Sequence, residues 1–539
     1  MKLKGPGKAT FNIIFHTHTV SGIVISFALF VIFYAGAWAL FRQDLSVWEN
    51  PHLRSKINTN FSYEQAIDKV DSIYGFDWYE TVSYELPKQT SPFFSVTGKI
   101  LQPDSSHLSV TAFVDTQDYA VYEDLKRNAT ASETIYHLHY FDQIPIVGRT
   151  ISGLVSLFFL FAVVTGIIIH WRNLFTKFYA FVKEGKWKTI WTNMHTVLGV
   201  IGIPFQVMYA VTGAFFGILS ITIAPSIFLV HDGDTGLINK VRFPDFQIEY
   251  DRNADVVPNI TFTEALNNLK KAYPGIQMQY ASLNNYGKAD ATITFRAQKN
   301  LDLATRGRIT MRMTDGSIMK AYTVDPIDKP YKNQVQDMIR RLHYAEFGGF
   351  GIKLMFFVLS IFTCLVIISG ILIWQTARNN KRYSPKQKMF HHRVTKVYLA
   401  ICLSMFPAFG IIYAAEKLVP LDWQNRVVII NQVFFGSWLI LTLIGCFWNS
   451  YTKQNQRYMM LGGLFFLALP FINGFTTKLW PWHAWTSFPE VALIDITWFM
   501  MGLSAIFIAT KCVKSSSKNM VNTDEKNQIE PGSTLSQAR

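Results

Sequence analysis

Charge and cysteine are what this 539-residue chain has least of: 16% of its residues are Asp, Glu, Lys or Arg, and four are Cys. Soluble domains carry about 25% charged residues. The shortage, set against 50% hydrophobic and 15% aromatic residues gathered in long blocks, excludes an ordinary water-soluble protein. Cys364, Cys402, Cys446 and Cys512 all fall in or beside apolar stretches, which excludes a disulfide framework and a Cys-based zinc or iron–sulfur site. Any metal chemistry must run through His. The chain also lacks a Gly-rich turn between strand and helix, so neither NAD nor flavin has an obvious place to bind. No helix-turn-helix or base-stacking context accompanies the formal charge of +14, which is therefore read as membrane topology and attraction to anionic membrane lipid, with no nucleic-acid partner.

What is present is a set of apolar runs. About 20 such residues cross a bilayer, and eight runs qualify, near 18–40, 148–170, 195–222, 350–374, 394–415, 426–448, 459–478 and 490–511. The fold class expected is a polytopic α-helical membrane protein. Lys2, Lys4 and Lys8 precede the first run; Arg172, Lys177, Lys183, Lys186 and Lys188 follow the second; Arg378, Lys381, Arg382, Lys386, Lys388 and Arg393 follow the fourth; Lys453 and Arg457 follow the sixth. Lys and Arg stay on the cytoplasmic side, so both termini are expected there. The first run is too long for a signal-peptide core, although Ala35-Gly36-Ala37 resembles a cleavage site, and it is expected to be retained.

Two loops, 41–146 and 225–346, are long enough to be small domains, and the charge rule puts both outside. They resemble one another. Ser62-Tyr63-Glu64-Gln65-Ala66 with Tyr74-Gly75 corresponds to Thr261-Phe262-Thr263-Glu264-Ala265 with Tyr273-Pro274, an N-cap and a short amphipathic helix each time. Alternating segments follow, ending in Val114-Asp115 and Val324-Asp325-Pro326, so each loop is read as α+β. The chain then divides into 1–40 (N-terminus and first span), 41–146 (first outer domain), 147–224 (second span, loop, third span), 225–346 (second outer domain), 347–376 (fourth span), 377–512 (an extension of four more spans) and 513–539 (a Ser-, Asn- and Lys-rich tail read as disordered).

The duplication carries histidines in register. His18-x3-Gly22 and His195-x3-Gly199 each stand eighteen residues before a second glycine, Gly36 and Gly213. His139 of Leu138-His139-Tyr140 and His343 of Leu342-His343-Tyr344 each stand twenty-seven residues before Gly166 and Gly370. A single histidine at a span's lip is ordinarily an amphipathic ring at the interface. Four registered ones on two levels suit two six-coordinate haems, His18 paired with His195 and His139 with His343, because equivalent positions in a duplicated bundle can face each other. His16 and His170 compete for the first level, and Arg340 and Arg341 are candidates to meet haem propionates or an anionic chelate. His392 stands eighteen residues before Gly410, a diverged third instance of the pattern with Lys396 in place of the glycine, while His483 among Trp480, Trp482 and Trp485 reads as an interfacial belt residue. Bis-His iron has no open position, so such haems carry electrons.

The His-x3-Gly openings, the Thr-Gly and Ser-Gly closures and the Val-Asp-Pro strand together resemble the PepSY-associated transmembrane helix family, over roughly residues 10–376. That resemblance implies two periplasmic PepSY-like domains and a place among bacterial inner-membrane siderophore reductases with two b-type haems. It implies transfer of electrons from a quinol or a separate cytoplasmic reductase to a ferric siderophore or other ferric chelate in the periplasm. Ferrous iron is held far less tightly by hard oxygen donors, so reduction would release it. The chain departs from the family pattern in having Thr after His18 and His195 where Arg is common, Ala35-Gly36 for Thr-Gly, and no Pro after Val114-Asp115. Two other classes remain open: a metal or proton-coupled transporter, suited by the repeats and intramembrane His, and a membrane-tethered regulator of secreted peptidases.

Overall fold

The computed structural model describes residues 5–88, 91–123, 130–177, 187–230, 248–298, 306–322, 331–448 and 450–528; Val324-Asp325-Pro326, Lys183 and Lys186 lie outside the described residues. Among the described residues, seven helices are long and apolar enough to cross a membrane, or eight if one bent pair is a single span. The protein is therefore mostly helical and polytopic, and it also contains an antiparallel sheet. Two units divide at Gly370.

The first unit opens with α1 (Lys8–Ala39) and the short α2 (Arg42–Glu49). After α3 (Tyr63–Tyr74) come β1 (Val82–Glu85), β2 (Phe93–Leu101), β3 (His107–Asp115) and β4 (Val121–Tyr122). Helix α4 (Thr130–His139) leads into the second span, α5 (Gly148–His170). The third span is broken: α6 (Trp187–Ile201) and α7 (Ile203–Val230) meet at 70° around Gly202. Pro204 has no N–H to donate to the preceding turn, and the glycine between lets the chain change direction. Next come α8 (Phe262–Ala272), β5 (Gln277–Asn284), β6 (Thr292–Gln298), β7 (Arg306–Arg312), β8 (Ile318–Tyr322), α9 (Tyr331–His343) and the fourth span, α10 (Gly349–Arg378).

The caps read from sequence form as expected. Ser62 accepts from the Gln65 N–H, and Thr261 makes a full capping box with Glu264. The two long loops share one sheet of order β4-β3-β2-β1-β5-β6-β7-β8. The join is β1 against β5, antiparallel, with Ser83 opposite Ser282 and Tyr84 opposite Ala281. Alternation explains the burial: Val82, Tyr84, Phe94, Val96, Leu283, Ile293 and Phe295 face α3 and α8 in one core, so neither copy needs an exposed strand edge at β1 or β5. The helices are tied directly, Thr263 donating from its backbone N–H and its hydroxyl to the Glu64 carboxylate at 2.8 and 2.9 Å.

The second unit contains α11 (Pro385–Leu418), α12 (Arg426–Phe447), α13 (Tyr451–Thr477), α14 (Pro481–Ser487) and α15 (Pro489–Gln528). Fully buried Arg426 pairs with Glu416 at 2.8 Å and also donates to its backbone carbonyl, which ties the start of α12 to the end of α11. Buried Asn473 donates to buried Asp495 at 2.9 Å. Helix α15 carries on to Gln528, past Lys514, where composition alone predicts a disordered tail. No Pro or Gly interrupts Lys514–Gln528, so an established helix adds residues without a new nucleation cost; Pro531-Gly532 follow beyond it.

Candidate functional site

The four registered histidines come together as two couples. His18 on α1 and His195 on α6 stand with ring centroids 6.3 Å apart. His139, the last residue of α4, and His343, the last of α9, stand 5.9 Å apart. Each couple takes one ring from each repeat.

The glycines of the sequence register explain how each ring is seated. His18 lies over Gly166 of α5, where a Cβ would come within 3.3 Å of the ring, and His195 lies over Gly370 of α10 at 3.2 Å. His139 lies over Gly36 of α1, where a Cβ would fall 2.5 Å from Nδ1. In each case Nδ1 meets the backbone carbonyl four residues before that glycine: Ala162 at 3.0 Å for His18, Val366 at 2.8 Å for His195 and Ile32 at 2.7 Å for His139. A carbonyl only accepts, so Nδ1 holds the proton and Nε2 keeps its lone pair for a metal. His343 departs from the rule, its Nδ1 meeting the Thr212 hydroxyl at 2.9 Å.

Burial lowers the pKa of His139 below the ordinary imidazole value, and burial followed by the nearby His139 lowers that of His343. Both are thereby kept neutral, the ligating form. Two metal–nitrogen bonds of about 2 Å each, plus half a ring at either end, place axial imidazole centroids roughly 6 Å apart. Both couples match that spacing, so the side chains present fit two bis-His haems.

A cavity of about 340 Å³ has His139 and His343 in its wall, with Arg42, Arg149, Arg340 and Lys353 around it. Arg42 lies 4.3 Å over the Tyr136 ring, Arg149 4.9 Å over Tyr140 and Arg340 5.2 Å over Tyr344. The Tyr136 and Tyr344 hydroxyls meet at 3.1 Å. Of the two arginines singled out in the sequence, Arg340 lines the cavity and also pairs with Glu346 at 2.9 Å, whereas Arg341 is buried and donates to the Glu346 backbone carbonyl. Neighbours on a helix differ by about 100° of rotation, so one faces in and the other away. Arg42, Arg149 and Lys353 carry no motif and come from three separate elements; among sequence signals, only their nearness to the ends of apolar runs marks them.

Of the competing histidines, His170 lies within electrostatic reach of His195. His16 is exposed on α1 beside Phe15, and His170 lines a second cavity of about 440 Å³ with Lys8, Phe11 and Arg172. His392 meets the Tyr451 hydroxyl at 2.7 Å, and His391 packs on Trp374 and Tyr383.

The family model of the PepSY-associated TM region matches residues 15–377, a stretch containing both couples, the sheet and the first four spans. The chain belongs to that family. The match ends within α10, so α11 to α15 lie beyond what the PepSY-associated TM region describes. No curated protein matches the chain.

Proposed function

We propose that this protein is a haem-bearing inner-membrane reductase that passes electrons outward to a ferric chelate such as a siderophore. The donor would be a membrane quinol or a separate cytoplasmic reductase. The observation that carries this reading is the pair of histidine couples at ring separations of 6.3 and 5.9 Å on opposite ends of the spans. Two b-type haems, when bound, would supply one-electron carriage across the bilayer. His18 and His195 would hold the inner one, His139 and His343 the outer one. The residues' own contribution is to present Nε2 of a neutral ring from each side while the neighbouring helix fixes the tautomer through Nδ1. Arg42, Arg149, Arg340 and Lys353, each already paired with a protein carboxylate, would offer further hydrogen bonds to carboxylates at the outer cavity, whether those of a propionate or of the chelate. Lys and Arg in the alternate loops favour cytoplasmic termini and a periplasmic, PepSY-like sheet.

Besides the repeats and the intramembrane His, the 70° break in the third span favours a transporter, since transporters build sites at broken helices. A purified sample tests both readings. A red protein with a low-spin b-type spectrum that dithionite sharpens supports the reductase; a colourless one that still moves metal ions or protons into vesicles supports the transporter.

A further inference from the structure

The seating rule shared by His18, His139 and His195 is broken at one place, and the break has an electronic consequence. In those three, Nδ1–H points at a main-chain carbonyl at 2.7–3.0 Å. The fourth glycine in the register, Gly213, does not receive its ring: a Cβ there would meet Ser156, and His343 is met instead by Thr212, one residue earlier. The Thr212 hydroxyl spends its own proton on the Met208 carbonyl at 2.8 Å, so toward His343 it acts as acceptor. In the other repeat the matching position is Ala35, which has no hydroxyl to offer, and His139 takes the Ile32 carbonyl.

An amide carbonyl is the stronger acceptor of the two, carrying more negative charge on oxygen than an alcohol does. The stronger the acceptor at Nδ1, the more basic the ligand nitrogen and the better ferric iron is stabilised over ferrous. The inner couple has two carbonyl-bound ligands, and His18 also has the Thr165 hydroxyl at 3.1 Å. The outer couple has one carbonyl-bound and one hydroxyl-bound ligand. The cations lining the outer cavity are each paired with a carboxylate, Arg42 with Glu133, Arg149 with Asp142, Arg340 with Glu346 and Lys353 with Asp44, so the difference between the couples rests on the Nδ1 partners.

We propose that Thr212, accepting from His343 where the other three rings meet a main-chain carbonyl, is a positioning residue whose weaker hydroxyl acceptor leaves an iron held by His139 and His343 at a higher reduction potential than one held by His18 and His195. It would thereby give electron transfer its outward direction. The inference rests on the haem reading. The transfer moves a single electron and needs no proton, ligand change or further reactant at either couple.

The test is a spectroelectrochemical titration of the full-length protein, with His18→Ala used to identify which midpoint belongs to the outer site. The wild type is expected to give two midpoints, the outer one higher. Thr212→Val keeps the shape and removes the acceptor. It should raise the outer midpoint by an amount equal to about a tenfold change in the ferrous-to-ferric ratio, about 59 mV for one electron, and leave the inner midpoint in place. Thr212→Ser, which restores the hydroxyl, should return the outer midpoint to the wild-type value. Two haems with an outer midpoint that Thr212→Val leaves unchanged or lowers would overturn the assignment while the haem reading stands, as would a wild type whose inner midpoint is the higher. A wild type that binds no haem would overturn the haem reading, and this inference with it.

Discussion

A glycine in a membrane helix is often only a place where two backbones approach, but three of the four registered glycines here make room for an imidazole. At Gly36 an added methyl would fall 2.5 Å from His139 Nδ1, whereas at Gly22 it would meet nothing within 4 Å. Gly36→Ala is therefore expected to push His139 out of its seat and remove about half the haem, matching His139→Ala or His343→Ala. Gly22→Ala should leave the haem content unchanged, and absorbance per protein distinguishes the two. The histidines were legible because duplication repeats their distance to a glycine, and distance along a chain survives in the sequence. The four cations at the cavity beside His139 and His343 were not legible as a group. Arg42, Arg149 and Lys353 reach it from α2, α5 and α10, and no spacing links residues assembled only by packing. The same limit applies to Thr212, whose role appears only when all four Nδ1 partners are compared.

Among the elements, α5 and α7 approach most closely where Gly153 faces Gly217, a Cβ on Gly153 standing 2.6 Å from the Gly217 backbone. Gly213 and Gly217 are four apart on α7, a small-residue ridge of the kind that lets membrane helices pack backbone to backbone. Gly217→Val should force these helices apart at a cost of about 1–3 kcal/mol, read as a lower unfolding temperature in detergent. The spans and their approximate ends were visible as apolar runs, and the caps at Ser62 and Thr261 as N-cap signals. The fused sheet was not, because β1 and β5 are separated by about two hundred residues and each strand's alternation specifies its faces but not its neighbour. The break at Gly202 was likewise hidden within a continuous apolar run.

At the scale of the whole molecule, the reading requires the sheet outside and the basic loops inside. A cysteine introduced at Ser106, exposed at the β2–β3 turn, should react with a membrane-impermeant maleimide in intact spheroplasts. One introduced at Lys381, exposed after α10, should react only after permeabilisation. The reverse pattern would contradict the topology and with it the direction of transfer. The most direct measurement is the number of haems per chain, by pyridine haemochrome, in the wild type, in His18→Ala, in His139→Ala and in the double variant. Two, one, one and none are the expected values; a wild type without haem, or a double variant that retains it, would contradict the pairing of these four histidines around iron.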